Sequence, residues 1–184
     1  ILSTLRERIQ ESRRAAVAQF REHERPDTLL GELRRIVDAA LRDLVKHYPL
    51  PAGATLAAVG GYGRGELYPH SDVDLLILLP HAPTAEDESA IEQLVASLWD
   101  LGLEPGHSVR TIEDCEREAD ADITVETALL ESRWLAGSRT LMKKFEAATQ
   151  SRLDARAFFR AKRVEMQQRH ARYQDTPYAL EPNC

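Results

Sequence analysis

The stretch at residues 60–79, GGYGRGELYPHSDVDLLILL, constrains this chain more than any other. Glycines crowd its start, and an unbroken apolar run, LLILL at 75–79, closes it. Such a run is the pattern of a strand buried on both faces. Asp72 and Asp74 stand at its head. Side chains two apart on a strand share a face, so both carboxylates point one way and Val73 the other. Residues 55–59, TLAAV, read as a preceding strand that delivers Gly60 and Gly61 at its carboxyl end. The expectation is a strand, a tight connection and a second strand carrying two acids at its exposed tip. Adjacent carboxylates repel unless a cation neutralises them. Hard divalent ions such as Mg2+ or Mn2+ take oxygen ligands of this kind together with phosphate oxygens. Asp72 and Asp74 are therefore the candidate catalytic and metal-holding acids.

The glycines suit the same chemistry. Gly60, Gly61, Gly63 and Gly65 leave backbone without Cβ cover, which lets a ligand approach. Free N–H groups in such a segment hold phosphate oxygens. Gly60 and Gly61 are the candidate nucleotide-binding backbone, Arg64 a bidentate phosphate grip, and Ser71 a further hydroxyl. Glu66 binds either Arg64 or a metal. Tyr62 and Tyr68 read as packing residues before base platforms. The string is not the Walker pattern, because no Gly-Lys-Ser/Thr follows. It is not the dinucleotide fingerprint, because a strand with acids follows the glycines where a long helix belongs.

Composition narrows the class. The chain has 184 residues, 43% hydrophobic and 29% charged, the balance of a soluble globular domain. A net charge of −6 excludes a basic nucleic-acid footprint. Cys115 and Cys184 have no metal spacing and read as reduced thiols. No signal-peptide core or membrane-length apolar run is present, so the expected location is the cytoplasm. The chain opens at Ile1 and closes on Glu-Pro-Asn-Cys, and the expectation is a piece of a longer enzyme.

Around the central stretch the pattern is helical. Residues 3–24 form a thinly apolar, peripheral helix, with Thr4 and Glu7 as a capping box and Arg13-Arg14 on a solvated face. Residues 28–47 form a strongly amphipathic helix capped by Asp27. Thr84 and Asp87 open a helix whose buried stripe is Ile91, Leu94, Val95, Leu98 and Trp99. Residues 103–111 form the third strand. Helices are expected at 112–120, 123–135, 138–149 and 154–173. The domain reading is an N-terminal helix at 1–25, a catalytic domain at 26–137 and a helical segment at 138–184. The fold class is α/β (α+β): a small mixed sheet with N-terminal helices and a helical C-terminal segment. An all-α chain does not account for 55–59 and 75–79.

Gly-Gly, about ten residues and Ser-Asp-x-Asp together resemble the signature of the DNA polymerase β-like nucleotidyltransferase superfamily. The full string, with LWDLGLEPGHSVRT (98–111), DITVETALLESRWLAG (122–137), FFRAKRVEMQQRHARY (158–173) and YALEPN (178–183), is similar to the N-terminal domain of the bifunctional uridylyltransferase/uridylyl-removing enzymes of bacterial nitrogen signalling. The resemblance implies metal-dependent transfer of a uridylyl group from UTP to a tyrosine of the PII signalling protein. It also implies that nucleotide removal and glutamine sensing belong to domains outside this chain. Two alternatives stay open: another donor or acceptor, as in an adenylyltransferase of glutamine synthetase, or a degenerate nucleotide-binding module. Superfamily members usually carry a third carboxylate on the third strand. Here that strand reads Gly106-His107-Ser108-Val109-Arg110. Asp122, ahead of Glu104, is the expected third metal acid, against its reading as a helix cap. His107 reads equally as a phosphate contact or an acid's partner.

Overall fold

The computed structural model describes residues 2–172. Tyr173, the 178–183 stretch and Cys184 lie outside the described residues. In chain order the elements are α1 (Leu2–His23), α2 (Pro26–His47), β1 (Thr55–Ala58), α3 (Gly60–Arg64), β2 (Val73–Leu78), α4 (Ala85–Asp100), β3 (Pro105–Arg110), α5 (Ile112–Ala121), α6 (Ile123–Leu130), β4 (Arg133–Gly137), α7 (Arg139–Arg152) and α8 (Ala155–Arg172). The four strands make one mixed sheet in the order β3-β2-β1-β4. β1 runs antiparallel to β2 and β4, and β2 parallel to β3. The expected class, a small mixed sheet with packed helices, is what forms.

Alternation along β2 divides the core in two. Val73, Leu75 and Ile77, with Leu79 beyond, join Leu33, Val37, Leu41 and Leu44 of α2 and Leu94 and Leu98 of α4 in one cluster. Leu76 and Leu78 face the other way, against Cys115, Leu129, Met142 and Phe145 of α5, α6 and α7. Burial on both faces is why 75–79 has no polar alternation. Asp74 is in step with Leu76 and so lies on the α5–α7 side. At Asp74 that helical cover stops, and the side chain is exposed.

Five expectations are corrected. α1 is not peripheral, since Leu5, Ile9 and Ala16 are buried in the α2 cluster. It begins at Leu2, upstream of Thr4, so Thr4 is no cap. α2 starts on Pro26, after an Arg25 N-cap without a side-chain bond; Pro at the first position supplies the helical φ, and Asp27 sits inside the first turn. Trp99 is 56% exposed. It follows Leu98 by one residue, about 100° round the helix from the Ile91–Leu94–Leu98 stripe, and buried Ser97 borders that stripe instead, its hydroxyl donating to Leu94 O at 2.7 Å. Finally, residues 133–137 are a strand: α6 stops at Leu130, and β4 pairs along the free edge of β1, burying Leu135. The Thr84–Asp87 capping box forms as expected, and Thr111–Asp114 makes a second one. Among the described residues no helix is long and apolar enough to cross a membrane.

Candidate active site

β1 ends at Ala58 and the chain turns directly into α3. The tight connection expected between the strands is therefore a turn of helix over the glycines, and residues 66–68 are irregular. Gly60 (φ 57°) and Gly65 (φ 91°) hold left-handed backbone at its two ends, which glycine adopts without a Cβ clash. Gly61 and Tyr62, in the first turn, have no carbonyl within the helix to bond. The Val59 N–H donates to Asp74 O at 3.1 Å, tying the entry of α3 to the acid strand.

Asp74 lies between two glycines. A Cβ on Gly60 would stand 3.6 Å from Asp74 Oδ2, and Gly106 is Asp74's register partner across β2 and β3. A Cβ on Gly106 would collide with Asp74 Oδ1. A side chain at Gly106 would therefore require the Asp74 carboxylate to turn aside. Asp74 reaches solvent, yet the sheet and turn around it remove enough water to push its carboxyl above the usual range, and the charge of Asp72 pushes it further the same way. A pair under such strain suits a divalent cation, and the glycines leave the room for it.

That shift has a measurable consequence. The folded-state value exceeds the unfolded one near 3.9, so the folded state binds the proton more tightly. Stability therefore falls as pH rises from about 4 through the raised value. Asp74→Asn does not titrate. In metal-free buffer the variant should gain thermal stability on wild type over that window and keep the advantage at neutral pH. Parallel melting curves across pH check this, and a pH-independent difference counts against it.

The remaining expected site residues are placed as follows. Arg64 is bound by two acids: its Nε and one Nη donate to Glu66 Oε2 at 3.1 and 3.0 Å, and the other Nη donates to Glu131 Oε2. Glu66 is thus seen on Arg64. The Ser71 N–H closes a turn on Tyr68 O at 3.2 Å. Asp122 caps α6, Oδ1 accepting from the Thr124 N–H at 2.7 Å, and this bond holds its carboxyl below the usual range. It is not gathered with Asp72 and Asp74: among the described residues no three acids, histidines or cysteines cluster to hold a metal. Asp122, the expected third metal acid, is thus seen as the cap of α6. His107 pairs with Leu75 in register, on the opposite face from Asp74. Cys115 is buried, its thiol pushed up to about 12 by loss of water, so it is inert at neutral pH. Tyr62 is 2% exposed and Tyr68 57%; burial raises the Tyr62 hydroxyl far above its usual range.

Sequence reasoning missed the residues behind the turn. Asp38 of α2, 6% exposed, accepts from the Tyr62 hydroxyl at 2.6 Å and from two Arg133 nitrogens at 2.7 and 3.0 Å. Arg133, at the start of β4, also donates to Gly63 O and Tyr62 O, both at 3.3 Å. The available signal was an acid inside the apolar run of α2, beside Val37 and Ala40.

The same elements carry the match to known proteins. The family model described as "Nucleotidyltransferase domain" covers residues 37–130, from within α2 to the end of α6. The chain belongs to that family. Three relatives share one description, bifunctional uridylyltransferase/uridylyl-removing enzyme. Identity is 80% over 183 residues with that of Bordetella parapertussis (100% of this chain), 81% over 182 with that of Bordetella avium (99%), and 52% over 184 with that of Cupriavidus pinatubonensis (100%). The chain spans about a fifth of the length of these relatives, 21% in each case. A chain of the solved toxin–antitoxin MntA–HpeT structure aligns at TM-score 0.40 and 14% identity, over 71% of this chain and 95% of that one.

Proposed function

We propose that this domain transfers a uridylyl group from UTP to a tyrosine hydroxyl of the PII signalling protein, with Mg2+ or Mn2+ held by Asp72 and Asp74. The observation that carries the reading is the acid pair at the head of β2, flanked by the bare backbone of Gly60 and Gly106. The relatives, at up to about four-fifths identity, support the choice of donor and acceptor. A bound divalent ion supplies positive charge to the phosphates and neutralises the developing negative charge.

The chain's own residues do the rest. Asp72 and Asp74 fix where the triphosphate sits. Backbone N–H groups at Gly60 and Gly61 receive its oxygens, with Ser71 nearby in sequence. Arg64, held by Glu66 and Glu131, keeps a guanidinium at the end of α3. In-line attack forms the bond from the tyrosyl oxygen to the α-phosphorus. The bond from that phosphorus to the bridging oxygen breaks, pyrophosphate leaves with the electron pair, and the phenolic proton passes to solvent. Catalysis of this kind is positioning and charge neutralisation.

The deciding experiment supplies α-labelled UTP or ATP, Mg2+ or Mn2+, and either PII or glutamine synthetase. Label on PII from UTP alone is expected. Label from ATP, or on glutamine synthetase, points to another transferase, and no label with nucleotide still bound points to a binding module. A second check concerns Gly61. A Cβ there meets Arg64 Nη and Glu66 O at 3.7 Å, ordinary contact, so Gly61→Val should fold. Its branched side chain would screen the backbone, and Mg2+–UTP affinity should fall at least about tenfold, the loss of one charge-assisted hydrogen bond. Unchanged affinity by calorimetry would count against the phosphate role of this turn.

A further inference from the structure

We infer that Asp38 and Arg133 are positioning residues for nucleotide binding: they grip α3 from behind and so set where its glycine backbone stands beside Asp74. The inference rests on the reading that this backbone receives the phosphates of UTP.

α3 spans five residues, three of them glycine. Isolated helices shorter than about 12 residues are marginal in water, and glycine is among the poorest helix formers. Its geometry must therefore be imposed by its surroundings. Arg133 meets its carboxyl-terminal half, where the Tyr62 carbonyl also accepts from the Gly65 N–H at 3.1 Å. One guanidinium donates to Tyr62 O, to Gly63 O and to both oxygens of Asp38. Tyr62 adds its hydroxyl to Asp38, and its ring lies 5.2 Å from the Arg133 carbon. Arg42 brings a second cation to Asp38 at 3.6 Å. The contacts join α2, α3 and β4, three elements distant in sequence.

Stability alone is a poor reason for this cluster. Buried ion pairs are often matched by well-packed apolar residues. What a planar fork supplies is direction, since its bonds fix a carboxylate and two carbonyls in one plane. Those carbonyls belong to the turn whose other end is tied to Asp74 through the Val59 N–H. Neither Asp38 nor Arg133 needs to touch nucleotide for the effect.

The test uses the full chain with two mild substitutions. Arg133→Lys keeps a cation for Asp38 but loses the planar fork whose separate nitrogens reach Asp38 and both carbonyls. Tyr62→Phe keeps the ring and removes only the hydroxyl. Mg2+–UTP affinity is measured by calorimetry, and amide hydrogen exchange is followed residue by residue. Arg133→Lys should weaken Mg2+–UTP about tenfold and Tyr62→Phe about fivefold. Exchange should quicken at residues 60–66 and stay unchanged in β1 and β2. If Arg133→Lys does not fold, Tyr62→Phe carries both readouts. Wild-type affinity in folded variants, or exchange quickened evenly across the sheet, overturns the inference. Should the wild-type chain bind no Mg2+–UTP, the nucleotide reading fails; the clamp is then judged on exchange alone, and unchanged exchange at 60–66 overturns it.

Discussion

Asp72→Asn and Asp74→Asn should each lower the proposed uridylyl transfer by about 10³-fold while the protein stays folded. Each substitution keeps the side chain's shape and removes the negative charge that would hold a divalent ion. The competing explanation for lost activity, a damaged fold, makes the opposite prediction about stability. Neither carboxylate lies in the apolar clusters, and both are exposed. Asp74 is harder to ionise in the fold than outside it, because burial and then Asp72 oppose its charge. Removing either charge relieves that repulsion, so the metal-free variants should melt no lower than wild type. Added Mg2+ or Mn2+ should raise the wild-type melting temperature and leave the variants nearly unmoved. Transfer rates and melts on the same preparations separate the cases. Near-normal transfer by either variant would remove the metal-holding role of the pair, and loss of both transfer and fold would make the acids structural.

The parts of this site written in local pattern were legible. The run at 75–79 announced a doubly buried strand, and Asp72, just ahead of that strand, is close enough to Asp74 to oppose its charge. The apolar spacing of α2 and the Thr84–Asp87 box marked helices in their places. What escaped was set by tertiary contacts. The glycines of α3 disfavour helix by up to about 1 kcal/mol each relative to alanine, so they read as a tight connection. Arg133 and Asp38, 95 residues apart in sequence, and the packing of Gly63 on Glu131 override that preference. β4 has five residues and no clean alternation, and pairing with β1 makes it a strand. The missing third acid was visible as an absence. That a Gly106 side chain would have to displace the Asp74 carboxylate was readable only from the β2–β3 register. Asp122 showed both its possible roles in sequence, and the fold shows its carboxylate bound to the Thr124 N–H.

The same contacts give opposite signs to two alanine substitutions in one short helix. In an open helix Gly→Ala stabilises by up to about 1 kcal/mol, because alanine has less backbone freedom to lose. At Gly61 the added Cβ meets only atoms at 3.7 Å, so Gly61→Ala should follow the rule and leave stability equal or slightly higher. At Gly63 a Cβ would overlap Glu131 O, and would stand 2.9 Å from Glu131 C and 3.1 Å from Ala58 O. All three are backbone atoms, two where the chain enters β4 and one at the end of β1. No side chain can swing aside to make room, so α3 must move off the sheet or β4 must shift from β1. Overpacking of a tight interior costs about 3 kcal/mol at the upper end of its usual range, which outweighs the propensity gain of about 1 kcal/mol. The net loss, about 2 kcal/mol, corresponds to a melting temperature lower by roughly 4–8 °C for a domain of this size. Moving α3 also shifts Tyr62 O and Gly63 O away from Arg133, so Gly63→Ala should weaken Mg2+–UTP binding as well, whereas Gly61→Ala should not lower the melting temperature. Calorimetric melts of the two variants beside wild type decide the matter. If Gly63→Ala melts at or above wild type, α3 is free to move and the close packing on Glu131 does not hold it.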